Sequence, residues 1–271
     1  MILFEDRIDA ANQLARTVQE WLEDNKNKYT TNNNNADSAH DDIIVLAIPR
    51  GGVVIGDVIS DILGAKLDIV VSRKIGAPDN PEFAIGAVMP DGSYFLNEDI
   101  VDMLNIPQSY ITQQANIQKK EIQRRVQIFT GKSSKGDEVE GEAEKQNRGY
   151  YNSYYNNNNN FEGKIVVLVD DGIATGATML SAAQWLKTKQ NCCKILIIAV
   201  PVAPPPPSPS LQTSSNSNED TVRKLNQIAD KVIILYRPEP FYSVGQFYKQ
   251  FEQVTDMEVR QIMKRHGHRT L

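Results

Sequence analysis

A parallel, twisted α/β sheet flanked by helices, with a small hood or flap region, is the fold class that this 271-residue sequence predicts. Three observations carry it. Five short runs rich in β-branched residues and leucine (43–48, 67–72, 165–169, 195–200 and 232–236) are separated mostly by stretches of helical spacing, and strands that alternate with helices pair in parallel because each crossover helix covers a face of the sheet. Two of these runs stop at a glycine-containing turn that opens into an apolar helical pattern, which places helix starts at the carboxyl ends of strands, where open α/β sheets bind ligands. The stretch 83–96 instead has the pattern of an antiparallel hairpin and belongs outside the parallel sheet.

Along the chain, Ile8, Ala11, Ala15, Val18 and Leu22 recur at steps of three and four and predict an amphipathic helix that packs on the sheet. Ile43 to Ile48 is apolar throughout, as a strand buried on both faces requires, and it ends at Pro49-Arg50-Gly51-Gly52. Val53, Val54, Asp57, Val58 and Ile62 then continue with helical spacing. The next strand, Leu67 to Ser72, runs into Arg73 and Lys74 and then into Gly76-Ala77-Pro78-Asp79-Asn80-Pro81, which reads as a loop that is not rigid. Phe83 to Val88 and Ser93 to Leu96 pair across Asp91-Gly92, and Pro107 begins a helix with Ile111, Ala115, Ile122, Val126 and Phe129 on one side. This hairpin and helix make the hood. After the strand Ile165 to Val169, Thr175 opens a helix carrying Met179, Ala182, Ala183 and Leu186. The chain is read as one domain, 1–271, with low-complexity insertions near 26–41, 131–161 and 203–220. Runs such as Asn32 to Asn35, Asn156 to Asn160 and Pro204 to Pro207 cannot bury enough apolar surface to offset the entropy of ordering them.

Composition narrows the functional classes. A net charge of −5 argues against a general nucleic-acid binder. The local basic stripe Lys119, Lys120, Arg124 and Arg125 is interrupted by Glu121 and reads as a solvated helix face. The longest apolar run, Ile195 to Ala203, is broken by Pro201 and is too short to span a bilayer; Met1-Ile2-Leu3-Phe4, followed at once by Glu5 and Asp6, does not read as a leader. The two cysteines, Cys192 and Cys193, are adjacent, which suits a reducing cytoplasm better than a structural disulfide. His266-x-His268 is too small a set for a metal centre.

The chemistry concentrates in Val166 to Thr178, where two acids close an apolar strand and a small-residue turn follows. Ionised Asp170 and Asp171 accept hydrogen bonds from a vicinal diol, and can hold magnesium directly or through its waters. Behind them, the free N–H groups and positive dipole of a helix start suit a phosphate; Gly176 and Ala177 let it approach and Thr175 and Thr178 add hydroxyl donors. The plainer alternative is a strand–turn–helix whose acids cap the helix, but two successive carboxylates exceed what a cap needs. Gly51 and Gly52 likewise free backbone donors for an anion and Arg50 adds a charge-assisted contact, the alternative being an ordinary tight turn. Arg73 and Lys74 fit as pyrophosphate donors or, alternatively, as a solvated basic pair. Other phosphate loops fail: Gly131-Lys132-Ser133 has Val126 where a Walker loop needs Gly, and no Gly-x-Gly-x-x-Gly follows a strand.

Val166 to Thr178 resembles the phosphoribosyl-pyrophosphate (PRPP) motif of type I phosphoribosyltransferases, and Pro49-Arg50-Gly51-Gly52 resembles their pyrophosphate loop. The resemblance implies that Asp170 and Asp171 take the ribose 2′- and 3′-hydroxyls and a magnesium ion, that Ala174, Thr175, Gly176, Ala177 and Thr178 wrap the 5′-phosphate, and that Arg50, Gly51 and Gly52 hold pyrophosphate. It implies a catalytic loop at Arg73 and Lys74 that closes over PRPP and excludes water. By the same likeness Phe241, in the segment Arg237 to Tyr248, stacks on the acceptor base; Phe241, Tyr242, Phe247, Tyr248 and Phe251 could equally form an aromatic satellite core. Ala174 stands where hypoxanthine–guanine enzymes carry an Asp, and Asp-Asp-x-x-Ala-Thr-Gly-x-Thr looks closest to the adenine pattern, so the acceptor is open. Arg73 to Glu82 and the Phe-Tyr-x-x-Phe of Phe247 to Phe251 are similar to a little-characterised bacterial and archaeal group of phosphoribosyltransferases. The implied activity is transfer of the phosphoribosyl group to a nitrogen acceptor, a nucleobase, with release of pyrophosphate, in cytoplasmic nucleotide metabolism; partners are PRPP and a small-molecule acceptor, with no nucleic acid or membrane and with room for a homodimer. A non-catalytic PRPP-binding regulator of the same fold and a metal-dependent phosphohydrolase are the alternatives.

Overall fold

The computed structural model describes residues 1–26, 43–130, 161, 163–188, 193–206 and 221–268. In chain order the elements are α1 (Arg7–Asp24), β1 (Ile43–Ala47), α2 (Gly51–Leu63), β2 (Lys66–Ile69), β3 (Arg73–Ala77), β4 (Asn80–Val88), β5 (Tyr94–Leu96), α3 (Glu98–Met103), α4 (Gln108–Thr130), β6 (Lys164–Val169), α5 (Ala177–Thr188), β7 (Cys193–Val202), α6 (Thr221–Ile228), β8 (Lys231–Tyr236), a 3-10 turn (Val244–Phe247) and α7 (Asp256–Arg265). They fall into two compact units, Met1–Val70 with Phe161–Ile262, and Val71–Asn160 with Met263–Leu271.

The first unit holds a five-stranded sheet in the order β2-β1-β6-β7-β8, with every pairing parallel. β1 and β6 run in register from Ile43 opposite Ile165 to Ala47 opposite Val169. From β1 the chain moves outward to β2, and from β6 it moves the other way to β7 and β8, so the winding reverses between β1 and β6. That reversal opens a crevice at the carboxyl ends of these two strands. The predicted parallel sheet is therefore observed, with the expected strands in place.

Local chemistry sets the helix ends and their burial. Asp6 caps α1 by accepting from Asp9 N at 2.8 Å. The buried stripe of α1 is Ala10, Ala11, Leu14, Ala15 and Val18; Ile8, expected on that stripe, is 53% exposed, because small residues let α1 settle against α2 while the helix start stays open. α2 also lies close to the sheet. A methyl at Gly56 would come within 2.8 Å of Leu67 Cδ1 and 3.0 Å of Ala47 Cβ, so glycine sets the depth at which the helix seats. Gly64 ends α2 in the left-handed conformation, at φ 61°. Trp185 on α5 is fully buried, edge-on to Phe161 at 6.4 Å between centroids.

The second unit holds the antiparallel sheet β3-β4-β5. β4 and β5 meet through the expected Asp91-Gly92 turn, with Gly92 at φ 87° and Met89 N donating to Ser93 O at 2.7 Å. One expectation changes here. The segment expected to be a non-rigid loop after Ser72 is largely a strand: Arg73 to Ala77 pairs with β4, and only Pro78 and Asp79 form the turn. The pairing shifts register around Gly76, where a side chain would overlap the Pro81 backbone, so the glycine that suggested a loop serves a bulge. α4 buries Ile111, Ala115, Ile122, Val126 and Phe129, the side read from its spacing. Helix α3, capped by Asn97 Oδ1 accepting from Ile100 N at 3.3 Å, and helix α6 were not anticipated. The low-complexity insertions lie largely outside the described residues, as does Cys192. Among the described residues no helix is long and apolar enough to cross a membrane.

Candidate functional site

Two loops meet at the crevice of the first unit. Ile48 N donates to Val169 O at 3.0 Å, extending the β1–β6 pairing to the point where both strands end. From there Pro49-Arg50 leads into α2, and Asp170-Asp171 leads into the turn before α5. The Pro49–Arg50 peptide is cis. A methyl at Gly52 would lie 2.9 Å from Asp170 Cα and 2.9 Å from Val169 O, and one at Gly51 would overlap the Asp171 carboxylate. Both glycines are therefore needed for the loops to touch, a requirement beyond the turn geometry read from sequence. The first turn of α2 is thereby held beside the acid pair.

The two acids differ. Asp171 N donates to Asp170 Oδ1 at 2.8 Å. Burial, and next the charge of Asp171, push the Asp170 carboxyl well above the usual carboxylate range, with Arg7 opposing. Asp171 is the one tied down: Arg7 Nε donates to its Oδ2 at 2.8 Å and Tyr248 Oη donates to its backbone oxygen at 2.6 Å. Burial, and then the Asp171 charge, raise the Tyr248 phenol far above its ordinary value, so it acts here as a donor. Arg50, half-buried at the start of α2, reaches Asp256 Oδ1 from Nη1 at 3.3 Å, a partly exposed pair that can yield to a stronger anion.

After the acids, Ile173 N donates to Val202 O at 2.8 Å and fixes the chain to the end of β7. The turn Ala174 to Thr178 follows. Ala174, Thr175, Ala177 and Thr178 are exposed, and Gly176 is buried at φ 75°. Thr221, the first residue of α6, donates from Oγ1 to Thr175 O at 2.9 Å, and its methyl lies where a side chain at Gly176 would be. The helix begins at Ala177, two residues after the expected Thr175, leaving Thr175 and Gly176 in the turn. Backbone donors at the start of α5 therefore face the bend, an arrangement that accepts a phosphate.

Phe241 is half-buried and tilted on Phe247 at 5.1 Å, while its neighbour Tyr242 is 85% exposed. Gln246 pins this loop: its Oε1 accepts from Tyr242 N at 2.7 Å and Ser243 N at 3.0 Å, and its Nε2 donates to Pro240 O at 2.8 Å. Phe4, Tyr248 and Phe251 stack in a second aromatic series, at 5.1 Å and 4.8 Å between successive centroids.

Arg73 and Lys74 stand in the second unit on β3. Successive strand residues face opposite sides, so the two cations leave opposite faces of the hairpin. Lys74 is exposed; Arg73 is half-buried and donates from Nε to Gln118 Oε1 at 3.2 Å. Burial, then Arg125, lower the guanidinium's pKa, with Glu121 opposing and Arg124 adding to the effect. Glu121 is held at about 2 by hydrogen bonds from Arg124 and Arg125 at 2.8–2.9 Å. The basic stripe on α4 is thus partly neutralised within itself, in line with its reading as a solvated face.

Sequence reading found Arg50, Gly51, Gly52, Asp170, Asp171 and the 174–178 turn, which the fold gathers at one end of the sheet. It missed Arg7, Tyr248 and Thr221, whose contacts reach far along the chain, and Gln246, whose bonds are local to its own loop; only the Phe-Tyr-x-x-Phe spacing hinted at Tyr248.

Comparison with known proteins agrees with this arrangement. Residues 6–209 match the model of the phosphoribosyl transferase domain. Two curated Mycobacterium tuberculosis proteins, one from each of two strains, are provisionally named phosphoribosyl transferases and are 32% identical over 259 residues. That alignment covers 96% of this chain and 46% of each of theirs, so the chain spans about half the length of these relatives. The crystal structure of TT1426 from Thermus thermophilus is 31% identical, covering 97% of this chain and 98% of that one with a TM-score of 0.63.

Proposed function

Because the chain belongs to the phosphoribosyl transferase domain family, we propose that it transfers the 5-phosphoribosyl group of PRPP to a nitrogen acceptor, a nucleobase, and releases pyrophosphate. The observation that carries this reading is the meeting of Gly51-Gly52 with Asp170-Asp171 at the switch point between β1 and β6, with the 174–178 turn following the acids. One loop offers backbone donors and Arg50 to a pyrophosphate. The acid pair offers acceptors to a ribose diol, and the turn offers donors to a 5′-phosphate. Few ligands other than PRPP need all three.

In the reaction the bond from C1 to the pyrophosphate oxygen breaks, pyrophosphate leaves with the electron pair, and the acceptor nitrogen bonds C1 and loses its proton. Charge builds up on the leaving oxygens and on the sugar, so the protein's task is placement, charge neutralisation and exclusion of water. Asp171 and Asp170 orient the ribose through its hydroxyls. Arg50 and the α2 amides receive pyrophosphate, Thr175 and Thr178 with their backbone hold the 5′-phosphate, and Arg73 and Lys74, on strand β3, supply the catalytic positive charge. Asp170 and Asp171 fit a hard divalent cation: they are adjacent oxygen donors, and burial together with the charge of Asp171 makes the Asp170 anion costly without a further cation beside it. Magnesium bound there would add positive charge to the phosphates. The acceptor lies against the loop that carries Phe241 and Tyr242. Adjacent Cys192 and Cys193 support a reducing, cytoplasmic setting, and transfer to a nucleobase would place the reaction in nucleotide metabolism.

The test is a panel of purine and pyrimidine bases incubated with PRPP and magnesium and assayed for pyrophosphate. One base giving stoichiometric pyrophosphate and nucleotide supports the reading. If the chain binds PRPP but none of the acceptors yields pyrophosphate, it is a regulator of the same fold.

A further inference from the structure

Arg7, the first residue of α1, makes three attachments with one guanidinium. Nε donates to Asp171 Oδ2 at 2.8 Å, Nη1 donates to Glu252 O at 2.9 Å, and the plane lies over the Phe251 ring, 3.8 Å from its centroid. The pair with Asp171 is well shielded, with side chains 11% and 16% exposed. From the other side, Tyr248 Oη donates to the Asp171 backbone oxygen at 2.6 Å, and Tyr248 packs on Phe251 at 4.8 Å between centroids. Tyr248 directly, and Phe251 through Arg7, thus converge on one aspartate.

We propose that Arg7, stacked on Phe251, is a positioning residue for PRPP recognition that acts through Asp171. The proposal rests on the PRPP reading above and adds a residue outside its motifs. A carboxylate at the mouth of a loop can turn about its side-chain bonds, and freezing it costs entropy at the moment of binding. Arg7 sets that orientation in advance. One donor bond leaves acceptor capacity on the carboxylate for a ribose hydroxyl, while Nη1 and the ring keep the guanidinium from following the ligand. Gly51 is part of the same arrangement. A methyl there would overlap the Asp171 carboxylate and come within 3.1 Å of Arg7 Nε, so the braced carboxylate is held directly against the pyrophosphate loop. Lysine cannot replace this contact, since it has no plane to stack and no second donor fixed in geometry.

The experiment is calorimetric binding of magnesium PRPP and, separately, magnesium pyrophosphate to the full chain, with Arg7→Ala, Asp171→Asn and the double variant. Arg7→Ala should weaken PRPP roughly 10- to 100-fold, the effect of losing a hydrogen bond to a charged group, and should leave pyrophosphate within about threefold. In the double variant PRPP should bind no more than about threefold worse than to Asp171→Asn alone, because Arg7 works only through Asp171. Multiplying effects, or an equal loss of pyrophosphate, would make Arg7 a structural residue and overturn the proposal. Tighter PRPP binding by Arg7→Ala would also overturn it, by showing that Arg7 competes with the ligand. Arg7→Lys keeps charge and helix propensity and carries the same test if Arg7→Ala does not fold; it should recover less than half of the lost binding free energy. A wild type that binds pyrophosphate but not PRPP would refute the PRPP reading itself, whereas PRPP binding with additive effects refutes only the brace.

Discussion

Asp170 and Asp171 are neighbours in sequence but not equivalent in environment. Asp171 is oriented by Arg7 and Tyr248, whereas Asp170 is destabilised as an anion by burial and by Asp171. Asn at either position removes a charged acceptor, so each variant should weaken PRPP by about 1.5 to 3 kcal/mol. Asp170→Asn should not lower Tm, because it also relieves a repulsion; titration calorimetry and thermal melts check both halves. Gly51→Ala tests the contact between the loops. Its methyl overlaps the Asp171 carboxylate, so the carboxylate or the loop has to shift. A displacement of about 1 Å at such a site costs on the order of 10²-fold. We expect that loss in PRPP affinity with a folded protein, measured alongside circular dichroism. Unchanged affinity would mean that the loops part at no cost.

At the scale of elements, the hairpin β3–β4 replaces the loop expected after Ser72. The sequence was misread there because Gly76, Pro78, Asn80 and Pro81 are loop formers, while the pairing of Arg73 opposite Val88 and Lys74 opposite Ala87 is a non-local fact. A two-residue turn with a bulge at Gly76 uses the same residues. Helix α3 was legible in principle, since Asn97 precedes Glu98 and Asp99, a sound N-terminal signature. α6 was hidden behind the proline-rich run. Lys74 is exposed on the hairpin, so in the proposed reaction it should contribute little to the ground state and more once charge develops on the leaving group. Lys74→Ala should lower kcat on the order of 10²- to 10³-fold with a much smaller effect on PRPP binding; proportional loss of both would make it a ground-state ligand. Glu121 gives a pH test on α4. Its carboxyl is lowered to about 2 by Arg124 and Arg125, so its stabilising effect is present above the ordinary carboxylate value and is lost as pH falls toward 2. The pair of bonds is partly exposed, and Glu121→Gln should cost only about 0.5 to 1 kcal/mol at neutral pH. That difference in Tm should shrink steadily below about pH 4.5; a constant difference down to about pH 2 would remove the charge from the explanation.

For the whole molecule, the sheet and both ligand loops were legible because each is written locally: a buried-strand run, then acids or glycines, then a helix. What holds the loops was not. The bond from Arg7 to Asp171 spans 164 positions and that from Tyr248 to Asp171 spans 77, and no local pattern encodes such pairings. The family match and the switch-point geometry both support the proposed ligand, PRPP. The most direct measurement is titration of the wild-type chain with PRPP in the presence of magnesium, repeated with Asp171→Asn. The account predicts one PRPP per chain with micromolar affinity, weakened at least about tenfold in the variant. No binding to the wild type, or equal binding to both proteins, would contradict it.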